Sequence, residues 1–352
     1  MTRLEKAAGP KATLARRAVW MGAAAIGLAA CEPAMRVTAS TTPALDVDGL
    51  MRAMDDIAET ARPGVLGVAF ANLESGQRLT FNGARPFPMQ SVFKAPLAAA
   101  VLAEVDEGHV RLDETIVLLE EQLSPAFSPI AAAWPERRAY SVRELLEAVI
   151  VTSDNTAADV LMKRIGGPGA VTAWLANHRV REVRIDRYER ELQPEIYGMP
   201  SFRPAWREPY IWAAAQNAVP PAERMRAMRR HLADPRDTAT PRGMLDFLQM
   251  LDREELVSAA STRRLMALMS RTKPGAGRIR AGLPKDAFLA HRPGTSGVDQ
   301  GLSTAHNDVG VFTLPDRRSY ALAVFLSGST LDAAGRDRII AQVAAAAVRA
   351  AG

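Results

Sequence analysis

Phe87-Pro88-Met89-Gln90-Ser91-Val92-Phe93-Lys94 leads out of a proline-punctuated stretch into an alanine-rich run, and the rest of the chain is organised around it. A helix beginning near Ser91 puts its hydroxyl and the Lys94 amine on one face, one turn apart, because residues i and i+3 are helical neighbours. Pro96 fits only at or near the start of that helix, where N–H groups lack intrahelical partners in any case. The same helix end brings free N–H donors and the positive end of the dipole close to the hydroxyl. A serine becomes a nucleophile when a base takes its proton, and a desolvated lysine is such a base. Ser270-Arg271-Thr272-Lys273 repeats the spacing, so other residues must choose between the two.

The chain has 352 residues and a formal charge of +5. Arg3, Lys6, Lys11, Arg16 and Arg17 against Glu5 alone put +4 of that charge in the first thirty residues. The remainder is nearly neutral and gives no electrostatic reason to expect a nucleic-acid partner. Those basic residues precede the apolar run 18–30, too short to span a membrane and of the length of a signal-peptide core. Leu28-Ala29-Ala30-Cys31 resembles a lipoprotein cleavage box, with Cys31 as the lipidated residue, and Arg16-Arg17 suggests twin-arginine export. The expectation is a signal peptide over 1–30, a lipidated tether over 31–45, and an exported, periplasmic protein touching the membrane only through its anchor. Cys31 is the only cysteine, so no disulfide can form within the chain and stability rests on packing.

Beyond the tether, Leu50, Met54 and Ile57 give 46–60 a helical period. Residues 65–73 and 77–82 then read as a hairpin turning at Gly76. After Gly108 a long helical region runs to about Gly169, interrupted by loops at 124–129 and 135–140. Residues 244–269 read as helical again. From Phe288 the pattern changes to short β runs, 288–292, 309–314 and 320–327, before a closing amphipathic helix over 332–351. Strands at both ends with helices between them predict an α/β (α+β) fold. Residues 46–88 and 242–352 would form the sheet domain and 89–241 an all-α domain, with the site in the cleft between them.

Three further stretches carry chemistry. Ser153-Asp154-Asn155 stands at a corner before a helix; a hydroxyl to pass a proton and an amide to hold a carbonyl fit there, although helix caps use the same residue types. Glu189, in Arg187-Tyr188-Glu189-Arg190-Glu191-Leu192, offers a carboxylate that can activate water as a general base. His291-Arg292-Pro293-Gly294-Thr295-Ser296-Gly297 combines a cation, small residues for close approach, and N–H groups for an oxyanion.

Taken in order, these stretches resemble the serine β-lactamases of class A, whose site reads Ser-x-x-Lys, Ser-Asp-Asn, Glu-x-x-Leu-Asn and Lys-Thr-Gly. The wording around Ser91 and Thr295 is most similar to the extended-spectrum cephalosporinase branch. The resemblance implies a five-stranded antiparallel sheet with flanking helices and an inserted all-α domain. It implies Ser91 as nucleophile, Lys94 as its proton partner, Ser153 as relay to the leaving nitrogen, and Glu189 as base for the deacylating water. By the same resemblance Asn155, Arg292, Thr295 and Ser296 would bind substrate. Arg278 would be a carboxylate-binding arginine and Phe127 an aromatic at the cleft mouth. Arg187 and Asp237 flank the loop and are expected to pair across its base.

Three departures stand out. Arg292-Pro293-Gly294 replaces Lys-Thr-Gly, so a carboxylate-binding hydroxyl is missing and a strand N–H is lost. Gln193 stands where an asparagine would help hold the water. Residues 194–237, carrying Tyr197, Trp206, Tyr210 and Trp212, replace a short loop and suggest an ordered lid. The expected protein is a monomeric β-lactamase without cofactor or metal. The alternative is a related serine acyl-enzyme hydrolase, or a penicillin-binding protein with little turnover of β-lactams.

Overall fold

In the computed structural model, residues 44–352 are described. The expected signal peptide, most of the tether and the lipidation site Cys31 lie outside those residues. Among the described residues no helix is long and apolar enough to cross a membrane.

Five strands build one antiparallel sheet: β1 (Val65–Asn72), β2 (Arg78–Phe81), β3 (Phe288–Thr295), β4 (His306–Thr313) and β5 (Ser319–Ser327), in the order β2-β1-β5-β4-β3. Both ends of the chain therefore contribute, as their strand-like periodicity predicts. β1 and β5 are buried along almost their whole length, as expected for strands covered on both faces. One face packs on helix Val47–Thr60, capped by Asp46, and on the C-terminal helix Ala333–Ala351, capped by Asp332. The other face carries the larger core, centred on helix Lys94–Asp106, whose residues from Lys94 to Ala103 are all buried. Apolar on every side, that helix runs through the middle of the molecule, as its alanine-rich sequence requires.

Pro293 sits on β3, the sheet's edge strand, opposite Asp308 on β4. An edge position removes the cost of the missing N–H on the outer side.

Two readings of secondary structure need correction. Residues 244–269 are not one helical run: helix Pro241–Asp252 ends before helix Ala259–Met269. Between them Glu254 adopts φ +58°, and Ser258 caps the second helix while its hydroxyl donates to Asp106 at 2.8 Å. The region after Gly108 also holds a small ribbon, Thr115–Val117 paired with Ala139–Ser141. Local polarity there mimics a helix, whereas pairing across about twenty residues decides the outcome.

Candidate active site

Gln90–Phe93 forms a 3₁₀ turn that runs directly into the helix starting at Lys94. Lys94 is fully buried, and its Nζ faces four oxygens: Ser153 O at 2.9 Å, Asn155 Oδ1 at 2.5 Å, and the hydroxyls of Ser91 and Ser153, each at 3.3 Å. The Ser153 hydroxyl also donates to Ser91 Oγ at 3.1 Å. Burial lowers the Lys94 pKa to about 8; Glu189 opposes that shift and the Arg292 charge adds to it.

A local conformation brings Ser153 here. The helical turn Ala148–Thr152 ends at Ser153 with φ +67°. Asp154 then caps the next helix, accepting from Ala157 N and Ile130 N at 2.8 Å and from Ser128 Oγ at 2.9 Å. The central residue of Ser153-Asp154-Asn155 thus does the capping, which frees its two neighbours to face the cleft.

Glu189 opens helix Glu189–Ile196 and is buried. The residue before it, Tyr188, has no side chain suited to capping, and the carboxylate of Asp159 takes that role from another helix. It accepts from Glu189 N at 2.7 Å and Arg190 N at 3.0 Å. Burial lifts the Asp159 pKa to about 7; a hydrogen bond from Ser124 opposes the shift and the Glu189 charge adds to it. Gln193 Nε2 donates to Glu189 Oε2 at 2.7 Å and to Gln90 Oε1 at 3.1 Å. Glu189 Oε1 lies 3.5 Å from Lys94 Nζ and makes no hydrogen bond.

On the opposite wall, β3 passes the Ser91 turn so closely that a Cβ on Gly294 would come within 2.3 Å of Met89 O. Glycine is required by that approach. Arg292 is entirely buried, donating to Ser91 O at 2.9 Å, Ile150 O at 3.0 Å and Ser153 Oγ at 2.5 Å. Burial lowers its pKa to about 9, which still leaves the guanidinium cationic at neutral pH.

The cleft has a volume of about 770 Å³ and brings together Ser91, Ser153, Asn155, Gln193, Thr295 and Phe127. Phe127 is 61% exposed at its mouth. Arg278 and Ser296 do not line it. The Arg278 guanidinium is buried behind β3, donating to Asp337 Oδ1 at 3.0 Å, Asn307 O at 2.8 Å, Gly294 O at 3.3 Å and Thr295 Oγ1 at 2.6 Å. The Ser296 hydroxyl accepts from Thr304 N at 2.9 Å and Ala305 N at 3.1 Å, holding the turn that follows β3. His291 and His306 each meet a carboxylate, Asp308 at 2.9 Å and Asp337 at 2.7 Å, partners that linear spacing hides.

The long insert is helical, with helices Pro209–Asn217 and Pro221–Ala233 after a short turn at Pro204–Arg207. Phe202, Trp206 and Trp212 pack together with ring centroids 6.3–6.4 Å apart. Arg224 pairs with Asp299 at 2.5 Å, and the Arg207 guanidinium stacks 5.4 Å from the Trp134 ring. The insert is therefore tied at one end to the turn after β3 and at the other to the helical side. At its base Arg187 Nε donates to Asp237 Oδ2 at 2.6 Å. Trp212 and Tyr197 reach the cleft wall, as do Lys273 and Pro274. None of these four is marked as a site residue by sequence. For the tryptophan and tyrosine the only signal is the aromatic density of the insert. For Lys273 it is the second Ser-x-x-Lys, whose serine stays outside the cleft.

Comparison with known proteins agrees with this arrangement. A family model described as the beta-lactamase enzyme family matches residues 49–351. Beta-lactamase VEB-1 of Pseudomonas aeruginosa is 30% identical over 81% of this chain and 84% of its own length. Extended-spectrum beta-lactamase PER-1 of the same organism is 28% identical over 80% of this chain and 81% of its own. Among solved structures, a β-lactamase from Chitinophaga pinensis superposes with a TM-score of 0.70 at 32% identity, covering 86% of this chain and 99% of that one. The last common ancestor of Gram-negative class A β-lactamases superposes with a TM-score of 0.69 at 34% identity, covering 86% of this chain and 99% of that one. With a match that spans the whole sheet and every element of the cleft, the chain belongs to the beta-lactamase enzyme family, among its class A serine enzymes.

Proposed function

We propose that the protein hydrolyses the amide bond of β-lactams through an acyl-enzyme on Ser91. The observation that carries this reading is the single buried amine, Lys94, set 3.3 Å from the Ser91 hydroxyl and 3.5 Å from the Glu189 carboxylate. In the first step Ser91 Oγ attacks the lactam carbonyl carbon and its proton passes to neutral Lys94. The carbon–nitrogen bond then breaks as Ser153 delivers a proton to the ring nitrogen and is resupplied from Lys94. The Ser91 and Thr295 N–H groups are assigned to the developing oxyanion, each donor worth about 3–4 kcal/mol in comparable sites. In the second step Glu189 takes a proton from water as the water oxygen attacks the ester carbonyl. The bond to Ser91 Oγ then breaks and the proton returns to Ser91 through Lys94, 3.5 Å from Glu189 and 3.3 Å from Ser91. Gln193 holds Glu189 by one carboxylate oxygen and leaves the other free for that water. Arg292 supplies fixed positive charge beside both serines and keeps Ser153 oriented.

A penicillin-binding protein would share the serine, lysine and Ser-x-Asn pieces but lacks the glutamate. The capped, buried Glu189 therefore favours hydrolysis over a stable acyl-enzyme. The test is to mix protein lacking residues 1–31 with a chromogenic cephalosporin and digest it during turnover. Steady colour with a transient mass adduct on the Ser91 peptide is the expected result. No reaction at millimolar β-lactam, or an adduct on another residue, would overturn the mechanism.

Export fits the family, and the Leu28–Cys31 box supports a lipid anchor. Radiolabelled palmitate incorporation lost in Cys31→Ser would establish it.

Lys94 also makes the acylation step pH-dependent in a defined direction. Only its unprotonated form can accept the Ser91 proton, and that form accumulates as the pH rises through about 8. The pre-steady-state acylation rate is expected to climb from pH 6 and level off above about 8. A flat profile across that range in stopped-flow bursts would remove Lys94 as the base.

A further inference from the structure

Bicyclic β-lactams such as penicillins and cephalosporins bring a carboxylate beside the ring nitrogen, and the wall beside β3 is altered where that anion would lie. Pro293 has no hydroxyl to offer. Arg278 lies behind the strand with four of its five N–H groups engaged by Asp337, Gly294, Asn307 and Thr295. What faces the cleft instead is Lys273, the only charged residue among the described residues that line it. Its side chain is exposed. The neighbouring Arg271 pairs with Glu147 at 3.0 Å and Arg278 with Asp337 at 3.0 Å, and no ion pair engages Lys273 among the described residues.

The segment carrying Lys273 is held firmly against the site. Lys273 N donates to Val151 O at 3.0 Å, within the turn leading to Ser153. The Thr272 hydroxyl donates to His291 O at 3.0 Å on β3. Gly275 approaches Pro293 so closely that a Cβ would stand 3.1 Å from the proline ring. The segment thus bridges the Ser153 turn and Pro293, and Lys273 lines the same cleft as Ser153, Pro293 and Thr295. Thr295 Oγ1 already accepts from Arg278 Nη2 at 2.6 Å, which leaves its own proton free to donate forward.

We propose that Lys273 is the cationic partner of the substrate carboxylate, holding it together with the Thr295 hydroxyl and replacing the hydroxyl that Pro293 removes. The proposal rests on the reading of Ser91 as the acylated residue. It makes Lys273 a substrate-binding residue that acts on capture of the anion and not on the proton transfers at Ser91. A lysine is suited to the place because its flexible stem and three rotatable donors do not demand the planar, two-pronged geometry of an arginine.

The test compares Lys273→Ala and Lys273→Arg with the unaltered enzyme on a chromogenic cephalosporin and on its C4 methyl ester. For the free acid, Lys273→Ala is expected to raise KM about tenfold with kcat changed far less, the size of a charge-assisted hydrogen bond lost from ground and transition state alike. Lys273→Arg should recover most of the loss, and the ester should respond to neither substitution. Unchanged KM for the acid in Lys273→Ala, or an equal loss on the ester, would overturn the proposal while leaving the Ser91 mechanism standing. Failure of the unaltered enzyme to form an adduct on Ser91 would overturn both. The exposed side chain makes misfolding a separable outcome, checked by an unchanged melting temperature.

Discussion

Glu189→Gln protein is expected to acylate at Ser91 and stop there. Steady turnover should fall by about 10²–10⁴-fold, the usual contribution of a positioned general base, while the acylation burst survives. The substitution keeps the length and planarity of the side chain, and the Asp159 cap acts on the backbone N–H groups of residues 189 and 190, so the loop itself is undisturbed. What is lost is the oxygen that makes no hydrogen bond in the folded protein and is therefore available to water. Intact-mass spectra after a short exposure to cephalosporin should show one persistent adduct where the parent enzyme shows almost none. Turnover at the parental rate would mean that another group activates the water, with the best-placed candidate being Lys94.

Asp237→Ala is expected to be the most destabilising single change at the site. Asp237 is buried and accepts from Asp186 N at 2.7 Å and Arg187 N at 3.1 Å as well as from the Arg187 guanidinium. Removing it strands a buried charge and two N–H donors, and breaking one side of a buried pair costs about 3–5 kcal/mol. Glu195 at 2.7 Å and Asp234 at 3.4 Å remain near Arg187, which places the loss toward the lower end. A fall in melting temperature on the order of 10 °C should follow. Because the pair closes the base of the segment that carries Glu189, deacylation should slow more than acylation. An unchanged melting temperature with unchanged deacylation would show that the clamp is not needed.

Much of the site is legible in the chain because its key spacings are local. Ser91 and Lys94 are three positions apart, and a one-turn helical offset brings them together whatever else the protein does. Ser153 and Asn155 share one corner, and the capping preference of Asp154 is a local property of the same corner. The expected ion pair of Arg187 with Asp237 also forms, since both residues flank one closed segment. The helical reading of 244–269 holds for two helices but misses the break between them. That break is stabilised by Asp106 from a different helix, and its one local signal is the capping residue Ser258.

Sequence by itself determined the pairing of Ser91 with Lys94, the order of the pieces around it and the strands at both ends, because these depend on periodicity and on neighbours a turn or a corner apart. Only the tertiary structure decided which donors and acceptors surround them. Asp159 caps Glu189 from 30 residues away, and Arg292 reaches the Ser91 carbonyl across 201 residues. Lys273, part of what reads as a decoy motif, lines the cleft because its backbone N–H bonds Val151 O and the Thr272 hydroxyl bonds His291 O, which hold the loop there. Such contacts arise from the burial of polar groups that must find partners once water is excluded. Their identity is settled by which surfaces meet, a property of the fold that no stretch of the chain carries alone.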